Sequence, residues 1–429
     1  MRADAALMLA RPAARTPRVM QPGQTMALLV LMGLMPLFMQ FFTYLPDIRA
    51  LWILAKLSPM LLLPLHVIGL FALRLPYIPL YVLIFLYALL VAPVLSILHL
   101  QNDFLEAMGA TVKALTFAFY FGAAAAFTLL GATEATLKRA MLLLALANFS
   151  ALWGLWVFLP LEAFAWDGAG TGMLFNDEIR GPRIMMPLAF GLTGLFWLAR
   201  RFSDRPAVWP VLLIALGLTL MVTIFKQRTA IAATALILLF GMTAGWRQRA
   251  PLSFWATVMG GAGLAASLFL AVTAGGAGNL GGSLRDSLGG SLSVRETAAG
   301  LLMEFISQDP TRWLFGIGAA TDYAEINFFH IMRYTHFFLS DLGWLGVVGE
   351  YGVLGTVLIV LAYLAGLRET HRAAQANPTP FRYALRDLVT YLLLVSPIYS
   401  TSAAPGQIAT ITAMAVILQR RSAKEAAAG

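Results

Sequence analysis

Along this chain, apolar residues come in long runs almost free of charge, interrupted by short clusters of Arg, Lys, Pro and Gly. A helix needs about 20 such residues to cross a hydrocarbon core of about 30 Å. Bounding each run by its charges and helix breakers places helices near residues 26–45, 51–72, 77–98, 111–130, 139–159, 184–199, 208–225, 229–246, 252–274, 344–366, 385–399 and 405–419, about twelve spans in all. The last two are short and separated only by residues 400–405, so a re-entrant pair is the rival reading there. The pattern predicts an all-α, polytopic membrane protein. Its expected layout is a tail over 1–25, spans one to nine within 26–274, a long loop over 275–343, spans ten to twelve within 344–419, and a tail over 420–429.

The long loop has a pattern of its own. A Gly- and Ser-rich run over 275–290 reads as flexible, and Ser293 stands three residues before Glu296 at the head of an apolar-periodic stretch. This predicts a helix over 294–307, with Val294, Ala298, Leu301, Leu302 and Phe305 along one face. Further on, residues 327–344 combine aromatic and titratable side chains. If they are helical, Arg333, His336 and Ser340 share a face, and His330 lies on an adjoining one.

Composition agrees with a membrane protein: 59% of residues are apolar and 12% are charged, against about 25% charged in soluble domains. The net charge of +9 changes the picture only through its distribution. With the N-terminus on the cytoplasmic side, about two thirds of the 30 basic residues fall in cytoplasmic loops and tails, as the positive-inside rule requires. The charge therefore speaks for membrane orientation and against a nucleic-acid partner. Both termini are expected to be cytoplasmic. Without cysteine, the chain has neither a disulfide framework nor a thiolate site.

Against that rule, Arg180, Arg183, Lys226, Arg228, Arg285, Arg295, Arg312 and Arg333 fall on the opposite side. Arg228 stands at the junction of two apolar spans, where an ionised group is costly and functional by default. Arginine offers a planar fork that takes phosphate oxygens in pairs, so the group reads as an anion site. Interfacial anchoring is the alternative for any single member. A histidine beside a hydroxyl and an acid, as His336 is beside Ser340 and Asp341, is placed to act as a general base. The sequence has no HExxH, no Walker A loop and no Asp-x-Asp pair, so zincin, P-loop and metal-diphosphate chemistry have no residues to run on.

Three local patterns then follow one another in the C-terminal half. Arg228-Thr229 opens a span; Arg295 precedes Gly316-Ile317-Gly318; and the run from His336 ends in Glu350-Tyr351-Gly352-Val353-Leu354-Gly355. On these residues, over about 220–365, the chain resembles the superfamily of O-antigen ligases and O-antigen polymerases, bacterial inner-membrane glycosyltransferases. The resemblance implies a glycan on undecaprenyl diphosphate as donor, a hydroxyl of an acceptor glycan or glycolipid, a periplasmic active site, and neither metal nor other cofactor. Membrane lipids and envelope polysaccharide assembly proteins are the implied partners. Arg228 and Arg295 would bear on the diphosphate, with Arg180, Arg183 and Lys226 secondary. Arg333, Ser340 and His330 would position the acceptor.

One departure bears on the base. The family's His-Asn, about 11 residues before the first glycine of its Gly-x-x-Gly, falls here on Asp341, and His336 lies five residues earlier. Either His336 reaches the acceptor hydroxyl from a further turn, or Asp341 replaces it. Lack of the His-Asn favours a polymerase over a ligase. The rival from another class is a secondary transporter or flippase of an anionic or lipid-linked substrate, which twelve spans and the intramembrane Lys56 and Lys113 also suit.

Overall fold

A computed structural model describes the protein over residues 22–45, 48–164, 173–177, 181–250, 252, 255, 280–319, 331–334, 337–399 and 404–428. Among the described residues, helices cover most of the apolar runs. They are α1 (Pro22–Phe38), α2 (Arg49–Leu61), α3 (Leu63–Phe71), α4 (Ile78–Leu86), α5 (Ala92–Leu100), α6 (Phe104–Leu115), α7 (Phe119–Leu129) and α8 (Glu134–Phe158). A short antiparallel hairpin, β1 (Leu174–Asp177) with β2 (Gly181–Ile184), precedes α9 (Ala189–Asp204), α10 (Val208–Leu220), α11 (Arg228–Met242) and α12 (Ala244–Arg249). Next come α13 (Leu280–Ser307), α14 (Pro310–Phe315), α15 (Gly343–Ala376), α16 (Pro380–Val395) and α17 (Pro405–Ala428).

Six helical segments among the described residues are long and apolar enough to cross a bilayer: Arg49–Phe71, Ile78–Leu100, Phe104–Leu129, Glu134–Phe158, Val208–Phe225 and Leu339–Ala376. Many of their large apolar side chains face outward, among them Leu98, Leu129, Leu146, Phe158 and Leu212. An exposed apolar surface of this extent is the mark of a lipid-facing protein. Most of the ninth expected span, 252–274, and the tail to residue 21 lie outside the described residues.

Local chemistry sets the helix starts. Asp103 accepts from the Glu106 amide at 2.7 Å while the Glu106 carboxylate accepts from the Asp103 amide at 3.1 Å, a reciprocal cap on α6. Thr379 caps α16, whose first residue, Pro380, lacks the N–H that a helix start would leave unpaired.

The helices alternate between two ends. At one end Gln24 donates to the Gly131 carbonyl, Arg382 to Glu134, Tyr77 to Glu369, and the Gly245 amide to Ser203. At the other, Lys226 donates to the Pro182 carbonyl, Asn102 to Ser96, and the Gly406 amide to Gln40. The basic loops of the sequence gather at the first end, called here the basic end. Near it, inside the bundle, Arg200 makes a two-pronged pair with Asp387, 2.6 and 2.8 Å. Helices α16 and α17 run antiparallel, since Arg382 near the start of α16 donates to Ser422 near the end of α17 at 2.8 Å.

Two expectations are corrected. Helix α13 already runs from Leu280, so the Ser293–Glu296 pair does not open it; the Ser293 carbonyl accepts from Thr297 Oγ1, as in mid-helix. A helix anchored by Ala298, Leu302 and Ile306, all buried, extends backward over Gly and Ser at only about 1 kcal/mol per glycine. The expected face holds over Ala298 and Leu302, with Leu301 and Phe305 packed beside them. Residues 327–344 are not one helix: Arg333 has a φ of +49°, which ends any right-handed helix there, and Leu339–Leu342 is a short 3-10 turn.

Candidate functional site

The end opposite the basic loops collects the expected cations in two groups. The first stands where α10 gives way to a π-turn, Met221–Phe225, and then to Lys226 at φ +56°. That break turns the chain so that Lys226 donates to the Pro182 carbonyl at 2.9 Å and lies 5.5 Å from the Trp156 ring. On the hairpin, Arg183 lies opposite Phe175 and stacks its guanidinium 4.6 Å over that ring. Arg228 follows as the exposed first residue of α11. Lys226 is thus tied to the hairpin that carries Arg183. Arg180, of the same expected set, lies outside the described residues.

The second group surrounds α13. Arg295 is half-buried on that helix, whose Ala298, Leu302 and Ile306 pack with Ile317, Met332, Phe337 and Leu342 in one apolar cluster. Arg333 is exposed, and Ser340 and Asp341 are half-buried in the 3-10 turn. Because Arg333 is off the helical path, it and Ser340 do not share a helix face. His330 and His336 lie outside the described residues.

The turn that carries Ser340 and Asp341 and the start of α11 both border the far end of α16. Gly343, two residues after Asp341, packs so closely on the 396–397 carbonyls that a Cβ there would stand 2.2 Å from the Pro397 oxygen. On the other flank, Gln227 and Thr229 line a cavity of about 100 Å³ with Val395, Tyr399 and Gln407. Gln407 is buried and shares the walls with Met185, Met186 and Leu392. The pocket is mostly apolar with a few polar groups, and Gln227 and Thr229 flank Arg228 in the chain.

The glycine motifs serve a different purpose. Helix α15 breaks at Gly352, φ +63°, and the break frees carbonyls that the helix would have used. The Ile317 amide donates to the Gly349 carbonyl at 2.9 Å and the Gly318 amide to the Glu350 carbonyl at 3.1 Å. Tyr87 donates to the carbonyls of Phe315 and Tyr351, 2.6 and 2.8 Å away. Broken helices at membrane depth need such replacement partners. The sequence motifs around Gly316 and Gly352 are therefore two halves of one joint.

One pair escaped the sequence reading. Glu350, buried beside that joint, meets Lys113 of α6 at 2.5 Å. In the sequence Lys113 is a lone charge in an apolar run, and Glu350 is one residue of a glycine motif. The signal that joins them is that two opposite intramembrane charges seldom stand apart. Among the described residues, no group of three or more His, Asp or Glu side chains is arranged to hold a metal ion. No family model matches the chain, and no curated protein matches it.

Proposed function

We propose that this protein is a metal-independent glycosyltransferase of the bacterial inner membrane. It moves a glycan from undecaprenyl diphosphate to an acceptor sugar hydroxyl, building a polymer in preference to ligating one onto lipid A-core. In this reading the twelve apolar runs are the spans, both termini are cytoplasmic, and the end bearing Arg183, Lys226, Arg228, Arg295 and Asp341 is periplasmic. What supports it is that the cations Arg183, Lys226, Arg228 and Arg295 stand at the end away from the basic loops, with Arg228 between two residues that line a small, largely apolar pocket. An isoprenoid diphosphate asks for that combination: cations for the charge and apolar walls for the chain.

The acceptor oxygen attacks the anomeric carbon as the diphosphate leaves, and Arg228 and Arg295 stabilise the charge growing on the leaving group. His336 or Asp341 takes the hydroxyl proton. The test is reconstitution with an undecaprenyl-diphosphate oligosaccharide, following product length and released undecaprenyl diphosphate. Longer lipid-linked chains from donor alone are expected; transfer only on addition of lipid A-core would make it a ligase. Arg228→Ala and Arg295→Ala should each lose about 100-fold in rate, the usual size of a lost charge-stabilising donor. Normal turnover in both would overturn the diphosphate role.

One observation favours a transporter instead. The half-buried Lys113 with buried Glu350, and the buried pair Arg200–Asp387, are the kind of intramembrane charge that transport pathways use. Substrate-dependent uptake into protein-containing vesicles, with no glycan product, would decide for it.

A further inference from the structure

The basic end carries a feature that the proposed transfer does not use. A cleft of about 1400 Å³ opens there, lined by Lys138, Arg139, Arg201, Arg205, Trp197 and Trp209 among others. Its carboxylates are largely engaged. Glu134 accepts from Arg382 at 2.8 Å and from Thr379 at 2.6 Å, and Asp204 stands between Arg201 and Arg205, 3.8 and 4.0 Å away. With Glu134 spent on Arg382, four cations of the cleft face Asp204 and the exposed Glu425, which leaves an excess of positive charge.

The cleft does not end at the protein surface. Trp197 and Trp209, their rings 6.3 Å apart, also line the mouth of a second, apolar space of about 220 Å³. Helix α9 forms its floor because it is drawn in tightly: a Cβ on Gly194 would stand 2.8 Å from the Ala145 Cβ of α8, and one on Gly217 of α10 2.6 Å from Leu195. Helices α8 and α10 then rise as walls, with the exposed Leu146, Leu213 and Leu216 lining the groove between them. The result is a basic vestibule, a pair of indoles, and an apolar groove leading from them along the bundle. In a bilayer this order matches the order of a lipid: charged headgroup, interface, hydrocarbon.

We infer that an anionic glycerophospholipid of the surrounding bilayer binds here, its phosphodiester among Lys138, Arg139, Arg201 and Arg205 and one acyl chain in the groove between α8 and α10. Charge complementarity selects an anionic headgroup, and the groove selects a lipid over a free phosphate. The site lies at the opposite end from the candidate transfer site and stands whether or not the protein is a transferase.

The test is native mass spectrometry of the purified full chain in detergent, titrated with dioleoylphosphatidylglycerol or dioleoylphosphatidylcholine. The glycerol lipid should bind at least tenfold more tightly. Arg139→Ala with Arg205→Ala, both exposed side chains whose loss leaves packing untouched, should remove that preference. Leu213→Trp, which fills the groove, should weaken both lipids. Equal binding of the two lipids by the unaltered protein would overturn the inference. So would a preference unchanged in the double variant, or displacement of the lipid by an equal concentration of inorganic phosphate.

Discussion

Gly316 and Gly352 each occupy the space where the other's side chain would stand. A Cβ on Gly316 would lie 2.5 Å from the Gly352 nitrogen, and a Cβ on Gly352 would lie 2.4 Å from the Gly316 nitrogen. Both have positive φ, +87° and +63°, so two backbones cross at a point closed to any other residue.

Alanine at either position should therefore lower stability by about 2 kcal/mol or more, adding left-handed strain to a backbone clash. Gly300, mid-helix with nothing within 4 Å of its would-be Cβ, is the control; its alanine variant should be neutral or gain about 0.5–1 kcal/mol. Thermal unfolding in detergent checks both, and equal midpoints for Gly352→Ala and Gly300→Ala would refute the joint.

Tyr87 closes the same joint from α5's side of the bundle. Tyr87→Phe keeps the ring and removes the donor to the carbonyls of Phe315 and Tyr351, so the expected loss is about 1–2 kcal/mol. A scan that shows no shift in midpoint would mean those carbonyls find other donors.

The Arg200–Asp387 pair, with side chains 8% and 6% exposed, should be costly to break from one side. Asp387 is also reached by Arg386 at 3.1 Å. Asp387→Ala leaves two guanidiniums facing each other and should cost about 3–5 kcal/mol, whereas Arg200→Met leaves the carboxylate a partner and should cost less. Comparing the two unfolding midpoints tests the order.

Lys113 and Glu350 should behave as a unit. Lys113→Met removes the charged partner of a buried carboxylate, yet Lys113 is 34% exposed, so screening reduces the effect to about 1–2 kcal/mol. The double variant Lys113→Met with Glu350→Gln should recover most of that loss. Additive losses in the cycle would show that the two residues do not interact.

Asp309 caps α14 by accepting from the Thr311 amide at 2.8 Å, and that bond holds its carboxyl below the ordinary range. A depressed carboxyl contributes stability in full above the unfolded value, near 3.9, and loses it as pH falls through the folded value. Carbon-13 NMR of the labelled carboxyl should titrate with a midpoint under that of a free aspartate. A midpoint at or above it would mean that the cap is not formed.

The apolar runs alone locate most of the helices and mark a membrane protein, because the hydrophobic period and the absence of charge are local properties. The sequence also marks Lys226 and Arg228, since charge at a span junction is anomalous wherever the chain goes next. Packing in three dimensions sets the rest: Lys226 meets Pro182 beside Arg183, Lys113 answers Glu350, and the two glycine motifs interlock. Each joins residues far apart in the chain, and no periodicity encodes which distant partner a side chain will find. Helix α13 and the 327–344 run show the same limit from the other direction. A serine that looks like a cap is overruled once buried residues downstream anchor a longer helix, and one left-handed Arg333 undoes a face that even spacing had promised.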